Sequence, residues 1–303
     1  MSHANQNDAW SDYWSNETHS KSGCIVGDRQ DAVNKLIKQT WLQQIEEALK
    51  VKVPVEMLEL ACGAGYLSNL LMENFADAFL SFTAVDYARI NNSSFDPRVC
   101  VRSNTSIESF LEQDSSPDII VSNFGFEYSD VEQTLPMAIN RLKLGGRMLL
   151  NCHSIKSEFF QDSTAIIASY NDWISKLPLV SFLEKVNASD DKVSMLKGYF
   201  VDLAKIDQAN GFGIGKMELM ETLLPMFKAH LNSPVPFDDV NKYLDSMAMY
   251  INRMKHQLEA ANGTERILSG LANTTLPVKL NKVVELDVQG KTVSKFIVIE
   301  KSE

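Results

Sequence analysis

Two carboxylates flank a run of small residues in the first third of the chain. Glu59 stands near the end of the apolar stretch VEMLEL, the turn ACGAG (Ala61 to Gly65) follows at once, and Asp86 closes a second apolar stretch, FLSFTAVD. Small residues let a backbone approach a ligand closely, and the N–H groups of a helix that starts after such a turn point at the same spot. Glu59 is repulsive toward a pyrophosphate and attractive toward an ammonium group. An acid placed like Asp86, about twenty residues beyond the turn, accepts hydrogen bonds from ribose hydroxyls. Farther on, His153 follows an apolar run and has the chemistry to take a proton from a hydroxyl or an amine, or to serve as a structural histidine bonded to the segment beyond it. Glu127 and Tyr128 lie in the preceding loop, as acid or base candidates or as packing and capping groups.

The elements that position these groups follow from periodicity. VEMLEL, FLSFTAVD, PRVCVR, SPDIIVSNF and RMLLNCH read as five strands, and GYLSNLLMEN and SDVEQTLPMAINRLKLGG as helices between them. The second of these helices is expected to be capped by Ser129 or Asp130 and ended by Gly145 and Gly146. Val33, Leu36, Ile37, Trp41 and Ile45 recur at helical spacing ahead of the first strand, with Asp28 as an N-cap. Strands alternating with helices imply a parallel sheet covered on both faces, with right-handed crossovers. The expected fold class is α/β, a doubly wound Rossmann-like and mostly parallel sheet with an antiparallel last strand. The expected layout is an N-terminal arm and helix (1–53), a ligand-binding domain (54–153 with 278–303) and a helical insertion (154–277). The insertion carries the apolar seam Val240, Leu244, Met247, Ile251, Met254 and Leu258, and a closing hairpin turns at Gln289-Gly290.

Of the 303 residues, 45% are hydrophobic, which suits one sizeable core plus an insertion. The formal net charge of −10 disfavours a nucleic-acid partner, since phosphate backbones are held through Lys and Arg patches. Cys24, Cys62, Cys100 and Cys152 are scattered without metal-ligand or disulfide spacing. A reduced, cytoplasmic protein without a membrane span or a metal is expected. The rings of Trp10, Tyr13 and Trp14 are expected to anchor the N-terminal arm, or to fold over a bound cation.

The turn alone does not distinguish ligands, because Gly63, Gly65 and Ser68 are an imperfect version of the dinucleotide glycine pattern. Glu59 and Asp86 together describe a ligand with a ribose and an amine but no phosphate, which is the constitution of S-adenosylmethionine. The stretches ELACGAG, AVDYA, PDIIVSNFGFEY and RLKLGGRMLLNCH resemble, in order and spacing, the motifs of class I S-adenosylmethionine-dependent methyltransferases. The resemblance covers about Val55 to His153 and the final hairpin. Ala61 departs from it where many members carry glycine, and Asn104-Thr105-Ser106 where members often carry an acid. It implies that Glu59 lies near the methionine amino group and that Ala61, Gly63 and Gly65 line the cofactor surface. It also implies that Asp86 holds the ribose, that Tyr87, Asn104 and Thr105 border the adenine, and that Asn123 and Phe124 face cofactor and substrate. SNFGF matches the motif of amino-group methyltransferases only at Asn123 and Phe126, as a generic strand-to-loop junction also would. The implied activity is methyl transfer to a small or medium-sized acceptor under a helical lid, with a macromolecule methyltransferase, a non-catalytic cofactor-binding scaffold and an NAD-dependent dehydrogenase as rivals.

Overall fold

The computed structural model describes residues 10–11, 13–14, 30–113, 115–157, 160–213 and 219–302. Asp28, the expected cap of the first long helix, and Cys24 lie outside them. The chain divides by its spatial contacts into two compact units, Met1–Ser157 with Glu259–Glu303 and Glu158–Leu258.

The first unit is built on a seven-stranded sheet of order β3-β2-β1-β4-β5-β7-β6. Its strands are β1 (Val55–Leu60), β2 (Phe79–Val85), β3 (Val99–Arg102), β4 (Ile119–Asn123), β5 (Arg147–His153), β6 (Val278–Val288) and β7 (Lys291–Lys301). β1 to β5 pair in parallel, whereas β7 runs antiparallel to both β5 and β6. The doubly wound, mostly parallel sheet expected from the sequence is therefore present. The chain winds outward from β1 to β3 and then returns to β4 on the other side, so strand order reverses between β1 and β4. Sheets of this type bind ligands at the carboxyl ends of the strands flanking that reversal.

Alternation along the strands divides the core between two faces. Val55 and Met57 of β1 pack on the face covered by α1 (Gln30–Leu49) and α2 (Tyr66–Phe75). Leu58 and Leu60 pack on the other, against α3 (Ile107–Leu111), α4 (Val131–Arg141) and the end of the helix that precedes β6. Trp41, with no exposed surface, sets its ring edge-on to Phe296 of β7 at 4.9 Å and locks α1 to the sheet. Burial of each such large side chain stabilises the fold by about 1.5–3 kcal/mol.

Two local expectations need correction. Helix α4 begins at Asp130 without a hydrogen bond from that side chain, and it ends at Arg141, short of the glycines. Leu142 leaves the helix in an extended conformation, and Gly145, at φ 71°, shapes the turn into β5 together with Gly146, whose N–H donates to the Lys143 carbonyl at 2.8 Å. The closing hairpin turns where expected, with Gln289 and Gly290 both left-handed at φ 55° and 77°, the geometry that suits the twist of two antiparallel strands.

The second unit is helical: α5 (Ser163–Lys176), α6 (Leu179–Asn187), α7 (Lys192–Ala209), α8 (Leu219–Asn232) and the first part of α9 (Phe237–Asn273). It has its own core around Trp173, Leu183, Tyr199, Leu203 and Phe227. Trp173 Nε1 donates to the Tyr199 hydroxyl at 2.6 Å, and that hydroxyl donates to the Leu177 carbonyl at 3.0 Å. Val240, Ile251 and Met254 of the α9 seam are buried. Among the described residues no helix is long and apolar enough to cross a membrane.

Candidate functional site

The turn after β1 holds its backbone in the left-handed region, with the ring of Trp14 against Gly63 and that of Phe95 against Gly65. Ala61, Gly63 and Gly65 all have positive φ, at 55°, 52° and 88°. Only glycine enters this region without steric cost, so Ala61 carries a small penalty where the resemblance expects glycine. Gly65 also serves as the N-cap of α2, with no side-chain bond to the first turn.

Glu59 and Asp86 meet beneath this turn. Asp86 Oδ2 accepts from the Gly63 N–H at 2.7 Å and Oδ1 from the Ala88 N–H at 2.7 Å, so the acid at the end of β2 holds the turn in place. Burial pushes Asp86 up to about 6, against the pull of those two N–H donors. Glu59 is 1% exposed and accepts a short hydrogen bond from the Ser68 hydroxyl in α2. Burial pushes it from 4.5 up to about 8, the Ser68 bond working against the shift and the neighbouring Asp86 adding to it. Cys62, inside the same turn, has its thiol raised well above the usual range by burial.

The remaining expected contacts fall around this pair. Asn104, left-handed at φ 57°, donates its N–H to the Ala88 carbonyl at 3.0 Å, and the Thr105 N–H donates to the Asp86 carbonyl at 2.8 Å. Both residues are thereby fixed beside Asp86, Asn104 exposed and Thr105 half-buried like Tyr87.

The ends of β4 and β5 form a second cluster. Asn123 Oδ1 accepts from Trp41 Nε1 at 2.9 Å and from Asn151 Nδ2 at 2.8 Å, which fixes the amide by core groups. Phe124 is left-handed at φ 56°, and its ring lies 4.8 Å from that of His153. Glu127 and Tyr128 lie in a short 3-10 turn, Phe126–Tyr128. Glu127 Oε1 accepts from the His153 backbone N–H at 2.9 Å and lies 2.7 Å from His153 Nδ1. His153 is thus bound to the acid of the preceding loop. Tyr128 stacks edge-on to His153 at 5.6 Å, and burial, with Glu127 adding, holds its hydroxyl well above the usual range. The N-terminal rings reach both clusters: Trp10 lies edge-on to Tyr128 at 5.5 Å, and a Cβ built on Gly63 would come 2.7 Å from the indole of Trp14. Ser11 accepts from the Arg89 N–H at 3.0 Å between them.

This sheet order and these motifs agree with a sequence match. A malonyl-[acyl-carrier protein] O-methyltransferase of Bacillus cereus is 29% identical over 140 residues, 45% of this chain and 50% of that protein. In sheet order and motifs the chain is similar to class I S-adenosylmethionine-dependent methyltransferases. The match spans about half the length of that relative. No family model matches the chain. Solved structures resemble it more loosely. The plantazolicin methyltransferase BpumL in complex with SAH has a TM-score of 0.47 at 12% identity, covering 100% of this chain and 92% of that one. The magnesium protoporphyrin IX methyltransferase ChlM of Synechocystis PCC 6803 has 0.44 at 8%, covering 99% of each.

Around this site, four supporting residues escape a reading of the sequence. Ser68 is visible only as the third position of the glycine pattern, yet it is the hydroxyl that bonds Glu59. Ser122 donates to the Leu60 carbonyl at 2.7 Å and accepts from the Phe126 N–H at 2.9 Å, tying the end of β1 to the Glu127 turn. Asn151, an amide in an apolar strand, was the available signal for a buried polar contact. Gly263 in α9 has no local signal: a Cβ there would come 2.3 Å from the Glu127 carbonyl oxygen. Among the described residues no group of three or more His, Cys, Asp or Glu side chains is arranged for a metal.

Proposed function

We propose that this chain transfers a methyl group from S-adenosylmethionine to a small acceptor. The observation that carries the reading is the pair of buried acids, Glu59 and Asp86, on either side of a positive-φ glycine turn at the point where strand order reverses. The donor set fits this cofactor. A pyrophosphate, as a nicotinamide dinucleotide would bring, is repelled by Asp86 and gains nothing from a protonated Glu59, whereas an ammonium beside Glu59 restores the charge that burial removes. Glu59 then receives the amino group, Asp86 the ribose hydroxyls, and Tyr87, Asn104 and Thr105 border the base. The turn of Ala61, Gly63 and Gly65 admits close backbone approach once the Trp14 ring lying on Gly63 gives way, and Asn123 and Phe124 lie toward the reacting end.

Bound S-adenosylmethionine supplies a methyl group already activated on a sulfonium. The work left to the chain is to hold the acceptor in line and keep water away. The helical segment 154–277, inserted where the chain leaves the carboxyl end of β5, is proposed as the lid that selects the acceptor. A macromolecular acceptor is the second reading, disfavoured by the net charge of −10.

Calorimetric titration with S-adenosylmethionine, S-adenosylhomocysteine and NAD tests the reading. Asp86→Asn is the informative variant, since its amide oxygen can keep the Gly63 N–H and only the Ala88 bond is lost, whereas Asp86→Ala releases the turn at Gly63 as well. Both adenosyl compounds are expected to bind the wild type, more weakly the variant, and at a hundredfold excess over Kd to stabilise the fold by about 2.7 kcal/mol. Binding of NAD alone, or of none of the three, overturns it.

A further inference from the structure

The Glu127–His153 pair is more than a packing contact. The Glu127 side chain has no exposed surface and that of His153 only 15%. Glu127 Oε1 serves His153 twice, at the backbone N–H and at Nδ1, while Oε2 meets no N–H or O–H donor among the described residues, the weak thiol donor of Cys152 being the other group beside the carboxylate. A carboxylate kept out of water with one oxygen met at most by a weak donor is costly to hold, and replacing it with an apolar side chain would be the cheaper way to fill a core. Its backbone is also clamped, since Gly263 of α9 leaves no room for even a methyl group against the Glu127 carbonyl.

The geometry selects a tautomer. An ionised carboxylate only accepts hydrogen bonds, so its contact with Nδ1 requires the proton to sit there, and the lone pair of the neutral ring is then on Nε2. The same acid stabilises the imidazolium that forms when Nε2 takes a proton. The imidazole lies at the carboxyl end of β5, beside β4, and the rings of Phe124 at 4.8 Å and Tyr128 at 5.6 Å flank it. Trp10 extends this wall from Tyr128.

We propose that Glu127 is a positioning residue that holds His153 with Nδ1–H toward its carboxylate, so that Nε2 takes the proton from a hydroxyl carried on an aromatic ring. The inference rests on the methyltransferase reading and names the acceptor class for that site. A carboxylate acceptor is already a nucleophile at neutral pH and needs no base, and the Glu127 charge repels it. A phenol, with a pKa near 10, reacts only if its proton is removed. In the transfer, the acceptor O–H bond breaks with the proton going to Nε2. The oxygen electron pair forms the O–CH3 bond, and the S–CH3 bond breaks with its pair passing to sulfur, which becomes a thioether. The acceptor class therefore differs from the malonyl group named for the Bacillus cereus relative.

Among the described residues, the charged and titratable groups around His153 include Glu127 and Tyr128 from the 3-10 turn, Cys152 on β5, and Lys295 of β7 opposite Cys152, itself paired with Glu265 of α9 at 2.6 Å. Tyr128 and Cys152, both raised well above their usual ranges by burial, stay protonated at neutral pH.

The first test is made on the full-length protein without ligand. Long-range ¹⁵N NMR of the imidazoles, with the His153 signals assigned by their loss in His153→Asn, is expected to show Nδ1 protonated and Nε2 bare. Glu127→Leu is expected to abolish that preference, and Glu127→Gln, whose amide oxygen still accepts from Nδ1–H, to keep it. Nε2 protonated in the wild type overturns the proposal whether or not the variants fold. In protein saturated with S-adenosylhomocysteine, phenol is expected to shift the Nε2 resonance, and benzoate and benzylamine to leave it unmoved. A shift with benzoate or benzylamine and none with phenol overturns the acceptor class. In turnover with phenol, Glu127→Gln is expected to lower kcat by about 10²–10⁴-fold, with rate recovering as pH rises toward the phenol pKa and with S-adenosylmethionine affinity unchanged. Loss of cofactor binding in the wild type would instead sink the methyltransferase reading, which separates the two failures.

Discussion

Replacing Glu59 with glutamine should make the unliganded protein more stable at alkaline pH while weakening its hold on the cofactor. Glu59 titrates at about 8 in the fold against an ordinary 4.5. A group whose folded pKa is raised contributes stability at low pH that is lost as pH rises through the folded value, because the native state binds the proton more tightly than the unfolded chain. The full difference corresponds to about 5 kcal/mol, and the part lost between pH 6 and pH 9 is about 3 kcal/mol. Asp86 adds little in that window, since its value of about 6 places most of its own loss lower. Glutamine keeps the size and an oxygen for the Ser68 hydroxyl but has no proton to lose. Wild type is therefore expected to drop by roughly 6–12 °C in Tm between pH 6 and pH 9 from this group, and Glu59→Gln to lack that drop. Scanning calorimetry of both proteins at five pH values, in buffers of matched ionic strength, measures it. Parallel pH dependences in the two proteins would refute the buried-acid argument. The linked expectation is that S-adenosylmethionine binding to wild type at pH 7 releases a proton from Glu59, seen as a dependence of the binding enthalpy on buffer ionisation heat and absent in the variant.

Gly63→Ala should cost about 1–2 kcal/mol for the left-handed backbone and displace the Trp14 indole, giving a lower Tm and a changed tryptophan emission. Gly263→Ala should destabilise by about 1–3 kcal/mol in urea, because its Cβ meets the backbone of Glu127 rather than a movable side chain, and should shift the His153 ring signals as the turn gives way. Trp41→Phe removes one of two donors to the Asn123 amide oxygen inside the core, with an expected loss of about 1–3 kcal/mol by chemical denaturation.

Much of the sheet is legible because its strands are local, apolar and bounded by turn residues, as VEMLEL and RMLLNCH show. The same holds for Glu59 and Asp86, whose meaning depends on distance from a glycine turn, a quantity readable along the chain. Helix α4 was read too long because KLGG looks like a helix end, whereas Leu142 turns out of the helix ahead of it. The contact of His153 with Glu127 is not legible along the chain, because it is made across a gap of 26 residues by the pairing of β4 with β5, which no local pattern encodes. Gly263 is harder still, since the requirement for glycine there arises from a carbonyl far away in sequence.

The indole of Trp14 already lies against Gly63, so capture of a ligand at this turn is an exchange of partners and not the filling of an open surface. If the ring covers the turn in about nine molecules of ten, the apparent affinity is about tenfold weaker than the intrinsic one. The contacts of Trp10 with Tyr128 and of Ser11 with the Arg89 N–H set how firmly that segment stays down. Substitutions there would retune affinity and entry rate while leaving Glu59 and Asp86 untouched, giving evolution a dial for matching the site to the supply of its ligand.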